Sequence, residues 1–167
     1  MDSLPGRFRQ GITIGLIAYA AVAIFYTAFD ILAARGAFYT INVLGRAVFR
    51  GLRDPGVLLL PVPLDFTAIF WYNGLHLVLS LVIGLVVVSL VHDAERHPGH
   101  ARPVVAVIIA GFVVTVLAVG ALTGPMRPVL PWWSIVVANG FATLFAGVWL
   151  LRKHPGLWGR LLHPAPV

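Results

Sequence analysis

The 167-residue chain has no cysteine, which excludes disulfides, thiolate metal sites, iron–sulfur ligation and haem attachment through thioethers. Charge is scarce as well. Only 11% of residues are charged and 59% are hydrophobic, against about 25% charged in an ordinary soluble domain, so a water-facing surface cannot be assembled from them. Also missing are a nucleophile elbow, a Walker loop, a dinucleotide-binding glycine fingerprint and a helical histidine pair at i, i+4 for zinc. The enzyme classes built on those motifs are thereby set aside.

What the chain has in quantity is long apolar runs. Residues 11–34, 66–91, 104–122 and 132–151 each reach the roughly 20 residues needed to cross a bilayer. The expected fold is an all-α integral membrane protein, a four-transmembrane-helix bundle. Residues 1–167 form a single membrane domain, because no connection is long enough to fold separately. Arg7 and Arg9 precede the first run as in a secretory signal, but the run exceeds the roughly 7–15 residues of a signal core and contains Tyr19, Tyr26 and Asp30. It reads as a retained span.

Between the first two spans, residues 40–53 form a short amphipathic helix. Ile41, Leu44, Val48 and Leu52 share one face, while Arg46, Arg50 and Arg53 stand at i, i+4 and i+7. Such a helix lies in the interface, where its arginines meet anionic headgroups or a partner. Asp65 is placed to cap the second span, and Pro131 starts the fourth, with Trp132 and Trp133 behind it as interfacial anchors. The apolar but proline-broken stretch 58–63 packs back on the bundle mouth. The tail, with Leu157, Trp158, Leu161 and Leu162, rests on headgroups.

The net charge of +6 sits almost wholly in the connections, so the acidic partner it implies is a membrane surface and not nucleic acid. Grouping the N-terminus, the second connection and the tail gathers seven basic residues (Arg7, Arg9, Arg96, Arg102, Arg152, Lys153, Arg160) against five (Arg35, Arg46, Arg50, Arg53, Arg127). That count favours both termini in the cytoplasm.

Polar groups at membrane depth are expensive and turn toward other helices or water. Asp30, Asn73, His76, Ser80, Asn139 and Thr143 are such groups. On the second span Asn73, His76, Ser80 and Gly84 follow one stripe, and on the fourth Asn139 and Thr143 lie beside the small stripe Ala138, Ala142 and Ala146. Two readings follow: a polar ligand pocket among spans one, two and four, with His76 or Asp30 binding a ligand or relaying a proton, or hydrogen bonds that merely fix helix packing. His76 has no histidine partner within the spans, which argues against an internal bis-histidine haem. No cofactor is expected.

The second connection gathers His92, His97 and His100 with Asp93 and Glu95, a weak metal candidate because no established ligand spacing is met. Gly11 and Gly15, spaced small-xxx-small, and the alanine stripe of the fourth span offer surfaces for neighbouring helices. Small size, little mass outside the membrane and these stripes point to a noncatalytic accessory subunit of a larger respiratory, photosynthetic or transport assembly, associated with other membrane subunits or with itself. The alternative is a small membrane carrier or lipophilic-ligand binder using the polar pocket. A lipid- or quinone-directed enzyme with His76 as its proton-transfer group comes third.

Overall fold

A computed structural model describes residues 4–52, 54, 56 and 62–156. The described residues are helical, without strands: α1 (Leu4–Leu32), α2 (Tyr39–Arg50), α3 (Phe66–Arg96), α4 (Ala101–Leu122) and α5 (Trp132–Lys153), with 3₁₀ turns at Pro98–His100 and Gly124–Met126. α1, α3, α4 and α5 are long and apolar enough to cross a membrane. Helices suit that medium because each satisfies its own backbone polar groups where no water can.

The boundaries have local causes. The Asp65 carboxylate accepts the Ala68 amide at 2.9 Å and starts α3. Gly51, at φ 67°, ends α2 in the left-handed conformation, and Gly36, at φ 85°, turns the chain between α1 and α2. α1 begins seven residues before the expected start, with Pro5 in its first turn, where a missing N–H costs nothing. α3 runs past the expected 91 to Arg96, carrying the helix through the first charged residues of the connection.

α1 lies between α3 and α5, and α4 closes the far side against those two. One core cluster joins Ile14, Val88, Val91, Ala101, Val104 and Leu150 at the end holding the N-terminus of α1. A second joins Val43 and Leu44 of α2 to Val116, Met126, Leu130 and Ile135 at the opposite end. Val43 and Leu44 of α2 are therefore spent on the mouth of the bundle, which the helix covers, whereas Val48, expected on the same face as Leu44, stays exposed. Apolar side chains such as Ile24, Phe70, Val114 and Leu144 point outward and remain exposed, as lipid-facing residues do.

α1 and α3 approach most closely at three glycines. A Cβ on Gly15 would lie 2.7 Å from the Leu81 Cα, one on Gly11 2.9 Å from the Leu85 Cα, and one on Gly84 would meet the backbone of Gly11 and Gly15. The small-residue motif of the first span is thus occupied by the chain's own α3. Ala138 and Ala142 are likewise buried inside the bundle, and Ala146 packs on the first core cluster. These small stripes seat internal helices and not the partner subunits they suggested.

Candidate functional site

Beyond the glycine crossing, the facing stripes of α1 and α3 turn polar. The Tyr19 hydroxyl donates to Asn73 Oδ1 at 3.0 Å, and Asn73 Nδ2 donates to the Ile69 carbonyl at 3.2 Å. The His76 ring lies between two tyrosines, 5.2 Å from Tyr19 and 6.4 Å from Tyr72 between ring centroids. Farther along, the hydroxyl of Ser134 on α5, a residue with no exposed surface, donates to the Pro131 carbonyl at 2.8 Å. Ser80 is buried one turn from His76 toward the crossing, its carbonyl 2.8 Å from where a Cβ on Gly15 would sit. The result is a column of hydroxyl, amide and imidazole groups between spans, able to hold a proton or to offer oxygen ligands.

Asp30 is not part of that column, contrary to the expectation of one shared pocket. Its carboxylate, 1% exposed, accepts the Thr40 amide at 2.6 Å and the Thr40 hydroxyl at 2.7 Å. A carboxylate at the first turn of α2 satisfies amides that the helix leaves open and complements its dipole. Arg35 pairs with Asp30 at 3.6 Å and donates to the Val129 carbonyl at 2.6 Å. Its guanidinium also lies 4.9 Å from the ring centres of Phe29 and Tyr39. Burial pushes the Tyr39 hydroxyl above its usual pKa, with Arg35 opposing that shift. The cluster is a clamp that binds α1, α2 and the turn before α5.

The fourth span contributes less than expected. Asn139 Nδ2 donates to the Ile135 carbonyl at 2.8 Å and the Thr143 hydroxyl to the Asn139 carbonyl at 2.9 Å. Thr143 is exposed on the outer face, because its position on the helix turns it away from α1 and α3.

The predicted headgroup residues are also partly redirected. Arg46 donates to the Pro63 carbonyl at 3.1 Å, and Arg50 pairs with Asp65 at 3.0 Å. The Arg50 guanidinium, with the Ala68 amide, holds the Asp65 carboxyl below its usual pKa. Asn42, missed in the sequence, is fully buried and links Pro63 and Asp65 to α2. The sequence carried no signal for it, because Asn42 stands four residues before Arg46 and so continues the stripe of Arg46 and Arg50. Arg53 lies outside the described residues, as do most of 58–63 and the tail from 157. Trp133 is exposed against Phe29, whereas Trp132 folds inward onto Gly120 and the second core cluster. Only Trp133 keeps the outward placement of an interfacial anchor.

At the other end, His154 joins three spans. Its Nδ1 lies 2.8 Å from Glu95 Oε1 and its Nε2 3.0 Å from Gln10 Oε1. The His92 ring stands edge-on 5.1 Å away, with Nδ1 donating to the Val88 carbonyl at 2.9 Å. His92 is buried, so it leaves the expected trio with His97 and His100; Asp93 takes its place there. His154 and Gln10 escaped the sequence reading because their pairing spans 144 residues.

The fold and these sites define a multi-pass α-helical membrane protein. The chain is 37% identical over 122 residues, 65% of its length, to the Na(+)/H(+) antiporter NhaA of Mycolicibacterium smegmatis, and spans 27% of that relative's length. No family model matches the chain, and no solved structure matches it. The expectation of a noncatalytic accessory subunit is overturned by this likeness, since the relative is itself a transporter and not an auxiliary component. The alternative expectation, a membrane carrier, accords with it better.

Proposed function

We propose that the chain acts as a membrane carrier that exchanges a small cation for protons. The observation that carries this reading is the 37% identity to a Na(+)/H(+) antiporter. Because the chain spans 27% of that relative, the exchange and its ion are part of the proposal.

The polar column supplies chemistry of the required kind. His76, between Tyr19 and Tyr72, is the proton-holding group in this reading, since an imidazole can take up or release a proton at a ring nitrogen. Asn73 Oδ1 and the Tyr19 hydroxyl, bonded to each other at 3.0 Å, are hard oxygen donors of the sort an alkali cation accepts. The glycine crossing closes the column toward the N-terminal end of α1, and α2 covers the mouth at the other. In this reading the N-terminal end faces the cytoplasm, following the arginine and lysine count. Absence of native cysteine makes the sidedness directly measurable: Gly99→Cys should label from the cytoplasmic side and Arg127→Cys from the other.

The test is reconstitution of the purified chain into vesicles with a trapped pH dye and an inward sodium gradient. Sodium-dependent alkalinisation of the lumen, absent with choline, is expected. His76→Ala should slow it by about tenfold or more, equivalent to about 1.4 kcal/mol in the barrier. No sodium-dependent proton movement by folded, reconstituted protein would overturn the exchange reading.

A further inference from the structure

The turn joining α3 to α4 brings three metal-type donors together outside the polar column. Asp93 stands on the last turn of α3, His97 caps the end of that helix four residues on, and His100 follows at the end of the Pro98–His100 3₁₀ turn. Asp93 Oδ1 lies 3.1 Å from His97 Nδ1, and Asp93 Oδ2 lies 2.8 Å from His100 Nδ1. The three ligand atoms all fall within 4.8 Å of one another. The His97 and His100 rings are 5.0 Å apart between centroids and tilted by 36°, so both present Nδ1 to the same carboxylate.

We propose that Asp93, His97 and His100 form a binding site for a borderline divalent transition-metal ion, of which zinc is the probe of choice. Two imidazoles and one carboxylate suit zinc, nickel, cobalt or copper better than the harder magnesium or calcium ions, which prefer all-oxygen shells. Metal entry replaces the two imidazole-to-carboxylate hydrogen bonds. Each neutral ring moves its proton from Nδ1 to Nε2, and the freed Nδ1 lone pair points where its hydrogen had been.

The backbone already holds the ligands in register: the His97 amide donates to the Asp93 carbonyl at 2.9 Å and the His100 amide to the His97 carbonyl at 2.8 Å. That reduces the ordering cost of binding. All three side chains are open to water, with exposures of 45–60%, so an ion can enter and complete its shell with water or an external ligand. Glu95 is committed to His154 and stays out of the set. Arg96 and Arg102 are the nearby cations on the two helices that meet here; both are exposed, where solvent screening weakens their repulsion. The sequence pattern Asp-x3-His-x2-His carries the site, with the helix end and the 3₁₀ turn converting it into a cluster.

The experiment is calorimetric titration of the full detergent-solubilised chain with zinc, alongside the visible spectrum of the cobalt form. One ion per chain is expected. Asp93→Asn, His97→Ala and His100→Ala should each weaken binding by at least the roughly 10- to 100-fold that loss of even a supporting residue costs a metal site. The substituted side chains are on the surface, and an unchanged metal-free unfolding temperature will verify that each variant folds. His163→Ala, altering a histidine of the tail, should leave binding unchanged. Zinc binding that survives all three ligand substitutions, or that disappears with His163→Ala alone, would overturn the assignment, as would no measurable binding by the folded chain. None of these outcomes depends on transport activity.

Discussion

At the end of the bundle covered by α2, the elements are fastened by carboxylates facing arginines and backbone amides. At the opposite end they are fastened by carboxylates facing imidazoles. Asp30 with Arg35 and Thr40, and Asp65 with Arg50 and Ala68, belong to the first set. Glu95 with His154, and Asp93 with His97 and His100, belong to the second. A guanidinium presents five N–H donors in a rigid fork, whereas each imidazole nitrogen serves one partner. Similar geometry therefore gives one end partners that can serve several acceptors at once and the other end partners that meet one group per ring nitrogen.

The severest test removes what both ends share. Gly84→Leu forces a side chain into the backbone of α1 and should cost about 3 kcal/mol or more, read from unfolding in mixed micelles. A small cost would mean that the helices can part at the crossing and that the two ends are not mechanically joined. Asp30→Ala comes next. It strands the Thr40 amide and removes a charge from beside Arg35, and should cost about 2–3 kcal/mol, the loss falling on α2 in hydrogen exchange. Equal loss of protection at His154 would break the distinction between the ends.

His154→Ala deletes the link among α1, α3 and α5 and should cost about 1–2 kcal/mol. Its effect belongs at the N-terminal end of α1, leaving protection of α2 intact. The acid response of Asp65 sharpens the contrast further. Its carboxyl is held below the ordinary value by Arg50 and the Ala68 amide, so its contribution is full above the unfolded pKa and is lost as pH falls through the lower folded one. Protection of the first turn of α3 should accordingly stay constant through neutral pH and fall only in acid. Asp65→Asn should remove that acid-dependent loss; an unchanged loss would assign it to another group. Thr143→Val is expected to change stability by under about 0.5 kcal/mol, since Thr143 is exposed and its hydroxyl donates to the Asn139 carbonyl of its own helix.

The four spans and α2 were legible because bilayer thickness imposes a minimum apolar length and because a 12-residue helix with arginines on one side has an unmistakable period. Boundaries were less so. Arg7 and Arg9 look like the end of a span by composition, yet helix formation does not stop at a charged residue once the chain has left the lipid. The stripe Asn73, His76 and Ser80 was readable from α3 alone, and Tyr19 would have joined it had α1 been read along the line Gly11, Gly15, Tyr19. What could not be read was which stripe meets which. The depth of Asp30 suggested a ligand group, but its carboxylate serves Thr40 across a turn opened by Gly36. Periodicity specifies faces; only the assembled bundle decides their neighbours.

The three-glycine contact also sets a mechanical ratio. It sits off-centre, roughly 10 Å from the N-terminal end of α1 and about 25 Å from the other end by helical rise. Should α1 and α3 swing about that pivot, a small displacement near the histidines becomes an opposite displacement of about twice the size near α2. The clamp of Asp30 and Arg35 therefore holds the longer arm, where any swing about the contact would be largest.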